Sequence, residues 1–467
     1  MSQFSTETGN PVTPDPAGAS PALPATPIAD KTVRRRIILA STVGTTIEFY
    51  DFYAYATAAV AVFPHLFFPK NDNPTVALLA SFATFGLAFV ARPLGSIVFG
   101  HFGDRAGRKV TLVASLLTMG IATFIIGLLP TYASIGIIAP TILALMRFCQ
   151  GLGLGGEWSG AALLATENAE PGKRARAAMW PQLGAPFGFI LANGLFLILV
   201  IGLGHENGKT DGAFMEWGWR VPFLLSAVMV AVGLYVRFKL EETPVFREAV
   251  DKGKKLDAPV LDVFKVAWRP LVLGTFIMLS TYTLFYLVTT WVLSYGIANP
   301  AKTRGLGIPY VDFLKLQLIT IWFFALAVPI SGRLADRFGR KNYLAVISVL
   351  MLVFAASFSL FLKQETATEF TVGVWLAIGM ALMGLVFGPM SAVLPEMFPT
   401  NVRYTGSGIS YNVASILGAA VAPFIATALV ASYGVHAVGL YLGVATAITL
   451  VAVLLMRETS HVDMKDI

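Results

Sequence analysis

Apolar runs of about twenty residues, each closed by a short polar or basic break, follow one another along most of the chain. That length matches the hydrocarbon thickness of a bilayer at 1.5 Å of rise per residue, so the pattern predicts transmembrane helices rather than a soluble core. The first six are expected near 37–64, 75–100, 110–130, 135–165, 177–203 and 219–238. A second six are expected near 270–297, 311–332, 342–362, 370–396, 404–430 and 435–456. Between the two sets, residues 239–269 are charged and too polar to cross. The predicted fold is an all-α membrane protein of twelve transmembrane helices in two six-helix bundles, 34–238 and 270–457, joined by the linker 239–269. A Pro-, Ala-, Ser- and Thr-rich stretch, 1–33, is expected to be a disordered tail, and 458–467 a short polar one.

The two halves repeat each other. GHFGDRAGRK, from Gly100 to Lys109, returns as GRLADRFGRK from Gly332 to Lys341, with six of the ten positions identical. Glu167 and Arg174 recur as Glu396 and Arg403 at the same spacing of seven, and acidic residues follow both sixth spans, at Glu241, Glu242 and Glu458. Internal repetition of this kind marks carriers built from two related bundles. The glycines are expected to allow a tight turn between helices, with Asp104 and Asp336 accepting from nearby basic groups. Gly100, Asp104, Arg105, Gly107, Arg108, Glu167, Arg174, Asp336, Arg337, Arg340, Glu396 and Arg403 are therefore candidates for a charged gate between the bundles.

Composition sharpens the class. The chain is 56% hydrophobic and 13% charged, with a mean hydropathy of +0.70. The net charge of +7 does not point to nucleic acid, because Lys and Arg are scattered among short loops. Of the 34 basic residues, 25 fall in the tails and the loops on one side and seven on the other, which predicts cytoplasmic termini. The lone cysteine, Cys149, can form no disulfide within the chain. No nucleotide-binding loop, metal-ligand cluster or catalytic triad appears, so neither an enzyme nor a cofactor beyond a coupling proton is expected.

The remaining basic residues, Arg92 and Arg147, lie inside predicted spans, as do Glu48 and Asp51 in TTIEFYDFYAYAT. A charge at this depth costs roughly 2.5–3.5 kcal/mol on insertion scales, so it is kept where a partner or water receives it. Glu48, Asp51 and Tyr55 share one helical face. Paired acids suit proton uptake and release, and Arg92 and Arg147 could answer either acid or a substrate carboxylate. Glu157, in QGLGLGGEW, is a third candidate proton-handling group or a gate ion pair. Gln150, Gln182, Tyr282, Tyr286, Tyr411 and Asn412 are polar or aromatic residues within spans that could contact a ligand. The alternating glycines of span four let a neighbouring helix approach closely.

The paired decapeptides, RFCQGLGLGGEW, the Glu-to-Arg spacing and the terminal Glu-Thr elements together resemble the major facilitator superfamily over residues 34–460. TTIEFYDFYAYAT, FVARPLGSIVFGHFGDRAGRK, WGWRVPF and EETPVF are similar to its metabolite:proton symporters, which include carriers of shikimate, α-ketoglutarate, citrate and proline or betaine. The resemblance implies two bundles around a central cavity, alternating access and inward symport driven by the proton gradient of a bacterial cytoplasmic membrane; with the buried charges, the expected cargo is a small organic anion such as a mono- or dicarboxylate, and the expected working unit a monomer. It also places Asp51, Arg92, Arg147 and Glu157 at the family's charged positions. A proton-driven exporter and a transporter-like metabolite sensor are the competing readings.

Overall fold

The computed structural model describes residues 31–69, 73–106, 108–155, 162, 165–166, 169, 172–204, 211–239, 260–399, 402–460 and 462, without the side chains of 31–38, 40, 100–112, 236–239 and 260–262. Most of the N-terminal tail and of the linker, the side chains of Asp104, Arg105 and Arg108, and Gly107, Glu157, Glu167, Glu241 and Glu242 therefore lie outside the described residues.

Among the described residues, twelve longer helices follow in order. In the first half they are α1 Lys31–Ala61, α2 Pro74–Ala106, α3 Arg108–Leu128, α4 Ile138–Leu154, α5 Arg174–Leu203 and α6 Val221–Lys239. In the second they are α7 Trp268–Ile297, α8 Tyr310–Phe338, α9 Arg340–Leu362, α10 Glu369–Glu396, α11 Arg403–Tyr433 and α12 Val435–Leu455. Nine helices among the described residues are long and apolar enough to cross a membrane; Val113–Leu128 of α3 and Ile138–Leu154, the whole of α4, are apolar but shorter stretches. Helices suit that solvent because they satisfy every interior backbone N–H and C=O within the segment.

Helices pack mostly within their own half: α1 on α5, α2 on α4, α3 on α6, then α8 on α10 and α7 on α11 and α12. The halves meet along two seams, α5 against α8 and α10, and α2 against α11. Helix α7 is buried over 83% of its most apolar window, which sets it at the centre of the molecule rather than against lipid.

The glycines of span four act as expected. A Cβ on Gly151 would meet the backbone of Ala88, and one on Gly155 the carbonyl of Arg92, so α4 lies directly against α2. The decapeptide turn departs from expectation. Gly332 is inside α8, where it admits the Met179 side chain and the Ala175 carbonyl across the α5 seam; Gly339 alone makes the turn, at φ +84°. Helix α5 breaks at Leu183, between Pro181 and Pro186, as two prolines so close together dictate.

Candidate functional site

The polar face of α1 turns into the first bundle. Asp51, 1% exposed, accepts through Oδ2 from the Thr123 hydroxyl on α3 at 3.1 Å, while its Oδ1 has no partner at hydrogen-bond geometry among the described residues. Gln150 on α4 donates to the same hydroxyl at 2.7 Å and accepts from Arg147 Nη1 at 3.0 Å. Arg147, fully buried, also donates to the Phe85 carbonyl at 3.3 Å, and its Nη2 has no hydrogen-bond partner among the described residues. Arg147, one of the two candidate counter-charges, is thus reached from Asp51 through two neutral groups, and no direct ion pair joins the two. Tyr55 lies under the Arg147 guanidinium, 4.1 Å from its ring centre, and donates to Thr84. It is part of this packed polar chain.

Arg92 on α2 lines a narrow cavity between the bundles, with room for about one water molecule, walled by Phe49, Phe285, Tyr286 and Phe387, with Met383, Thr281, Tyr282 and Tyr411 completing it. Among the described residues, Arg92 Nε, the Thr281 hydroxyl and the Tyr282 hydroxyl on this wall have no partner at hydrogen-bond geometry, although Tyr411 lies against both Arg92 and Tyr282. Leaving such groups without partners costs roughly 1–3 kcal/mol each, more for a charged one, which a ligand supplying acceptors would recover. Glu48 is buried one turn before Asp51, and its charge acts on Arg92. A π-type turn follows Tyr286, at Leu287–Trp291, and another follows Tyr411, at Ser415–Ala420, locally rewinding both helices that carry the cavity tyrosines.

Two other candidate ligand contacts lie elsewhere. Gln182 donates to the Phe387 carbonyl, and Asn412 donates to Ser96 Oγ and the Gly155 carbonyl, so both stitch the halves together.

At the end carrying the loop between α8 and α9, the halves are latched. Asp336 accepts from the backbone N–H groups of Ala175 and Arg176, at 3.1 and 2.9 Å, and from Arg340 Nη1 at 2.8 Å. A carboxylate of the second half therefore caps the N-terminus of α5 in the first, satisfying two otherwise orphaned donors and the helix dipole. Glu396, fully buried, binds Arg340 through both oxygens and Arg174 of the first half at 3.4 Å. Glu458 caps α9 through the N–H groups of Arg340 and Lys341. Burial alone pushes its carboxyl up, but these donors and the Ser460 N–H outweigh it and hold the group below its usual value. Arg403 binds the Pro395 and Phe398 carbonyls within its own half, and Arg337 is exposed against Phe338.

The sequence matches the family model described as Major Facilitator Superfamily over residues 42–419 and 316–466. The chain belongs to the Major Facilitator Superfamily. Members of this superfamily are transporters, and this chain is a metabolite transporter rather than an enzyme. It is 56% identical to the Inner membrane metabolite transport protein YhjE of Escherichia coli over 92% of this chain and 95% of that one. It is 36% identical to the Shikimate transporter of the same organism, over 91% and 95% of the two chains. The solved structure of the proton:xylose symporter XylE of Escherichia coli, bound to 6-bromo-6-deoxy-D-glucose, superimposes with a TM-score of 0.67. It covers 93% of this chain and 98% of that one at 18% identity, a likeness of fold.

Sequence reasoning missed Thr123, Phe52 and the aromatic walls Phe49, Phe285 and Phe387 as parts of this superfamily member's site. A lone Thr in an apolar span carries no signal, because it can satisfy itself on the carbonyl four residues back; Thr123 does so as well, on Met119. Phe residues in membrane spans read as lipid-facing or core until neighbouring helices are placed.

Proposed function

We propose that the protein imports a small organic monoanion together with a proton, by alternating access, across a bacterial inner membrane with both termini in the cytoplasm. The observation carrying this reading is the narrow cavity in which Arg92 Nε and the Thr281 and Tyr282 hydroxyls find no hydrogen-bond partner among the described residues and are surrounded by aromatic rings. One cation suits one carboxylate, the two hydroxyls suit polar substituents, and the rings suit the faces of a flat or cyclic body. The names of relatives, a shikimate transporter among them, are compatible with such a substrate.

The proton site in this reading is Asp51, with Glu48 beside it and Glu157 as a third candidate group. Thr123 and Gln150 link Asp51 to Arg147, so protonation of the carboxylate alters what holds the guanidinium. The contacts of Asp336 and of Arg174 with Glu396 form the latch that must part for release at the cytoplasmic side. The boundary between the working halves falls in 239–269, the proton is the sole coupling agent, and the carrier works as a monomer.

The test is internal pH in proteoliposomes of the purified protein while shikimate, α-ketoglutarate, citrate, proline and simple aromatic acids are added singly. Acidification by a cyclic monocarboxylate, lost in Asp51→Asn, is expected. Acidification by citrate but by no monocarboxylate would reject the substrate class. Silence with every compound, from folded protein, would reject proton-coupled import and move the weight to export or sensing.

A further inference from the structure

The ring of Phe52, 3% exposed, is shared by two cations. The guanidinium carbon of Arg92 lies 4.5 Å from its centre and that of Arg147 4.3 Å. Each arginine is also held by a ring of its own, Arg92 by Phe89 at 5.0 Å and Arg147 by Phe85 at 4.9 Å. All these distances are within the range at which the negative face of an aromatic ring attracts a cation. Arg92 faces the cavity; Arg147 does not, and instead ends the hydrogen-bonded chain that begins at Asp51. Phe52 is therefore the group that touches both the cation at the cavity and the cation of the buried acid, and it is the chain neighbour of that acid.

We infer that Phe52 is a positioning residue that couples the cavity to the Asp51 chain, through the ring that Arg92 and Arg147 share. The inference rests on the reading of Arg92 as the anion-binding group. Two like charges held on one ring repel each other and compete for its electrons. When an anion neutralises Arg92, that arginine's pull on the ring weakens, and ring and Arg147 settle into a different mutual position. Arg147 then changes its hold on Gln150, and through Thr123 the change reaches Asp51. A direct Arg147–Asp51 ion pair would lock these groups; the neutral links leave them free to respond.

The test needs no substrate. The single cysteine, Cys149, is partly exposed on α4 two residues beyond Arg147, so a trifluoromethyl tag on it in the full-length protein reports on α4 by fluorine NMR. Arg92→Gln, which removes the cavity charge as a bound anion would neutralise it, is expected to shift that signal. In a Phe52→Leu background the shift is expected to vanish. Fluorinated phenylalanines at position 52, which keep the ring's shape while draining its negative face, are expected to reduce the shift stepwise with each added fluorine and guard against misfolding of the leucine variant. A shift of unchanged size with leucine or with the fluorinated rings, or no shift in the parent background, would overturn the inference. With an acid that passes the vesicle assay, Phe52→Leu is expected to keep exchange of labelled substrate and to lose at least tenfold of gradient-driven accumulation. An equal fall in both would mark a merely structural role. Failure of every acid in the vesicle assay would sink the proposed transport while leaving the fluorine result intact, so the two failures are distinguishable.

Discussion

Replacing Asp336 by Asn tests the latch with little change of shape. Arg340 sits four residues on in the same half and keeps Glu396, so its bond to Asp336 exists whether the halves are together or apart. The bonds to the Ala175 and Arg176 N–H groups cross between halves and belong to the latched state alone. Asn retains one acceptor and turns an amide donor toward one of those N–H groups. The loss is one charge-assisted hydrogen bond, about 1.5–3 kcal/mol, with the dipole interaction of a carboxylate at a helix start included. A loss near 2 kcal/mol specific to one state moves the equilibrium about 30-fold toward the unlatched state. The assay is the rate of maleimide labelling of Ser391→Cys, in a Cys149→Ser background, because Ser391 is 2% exposed and bonded to the Ala178 carbonyl across the same seam. A rise of about 30-fold in the opening-limited labelling rate is expected. An unchanged rate, with unchanged thermal unfolding, would refute the claim that this cap holds the halves together.

Arg147→Lys removes the planar fork that donates to Phe85 and Gln150 and stacks on three rings, and is expected to destabilise by about 3 kcal/mol in detergent unfolding because the ammonium stays buried with too few acceptors. Gly151→Ala should cost about 1–3 kcal/mol, since its Cβ meets the Ala88 backbone, whereas Gly194→Ala meets nothing and should be neutral or stabilising by up to about 1 kcal/mol; equal effects in thermal unfolding would contradict the close α2–α4 contact. Because the Glu458 carboxyl is held below its usual value, its cap contributes stability that is fully present above the unfolded-state pKa and is lost as pH falls through the lowered folded value. The difference in melting temperature between the parent protein and Glu458→Gln should therefore be constant near neutrality and shrink in acid; a difference that grows in acid would be against it.

How far the chain disclosed itself depends on what kind of force decided each feature. Twelve crossings, the pairing of the halves and the depth of Glu48, Asp51, Arg92 and Arg147 follow from the cost of placing polar groups in hydrocarbon, which acts on each segment separately and so is written in the linear order. The glycine run of α4 was legible for a similar reason: small residues admit any neighbour, whichever helix it is. What depended on two distant segments meeting was closed to that reading. Asp336 reads as a loop acid beside basic residues, and only the α5–α8 seam makes it the cap of a helix 160 residues away. Gln182 and Asn412 look like ligand contacts, but close packing of the halves gives each a carbonyl across the seam. Asp51 and Arg147 both lie inside spans and carry opposite charge, yet the helix rotations set Thr123 and Gln150 between them rather than an ion pair. The composition and period of a membrane chain determine how many helices it has and which residues are too costly to face lipid; the partners those residues find depend on the rotation and approach of several helices at once, and that is settled by packing in three dimensions.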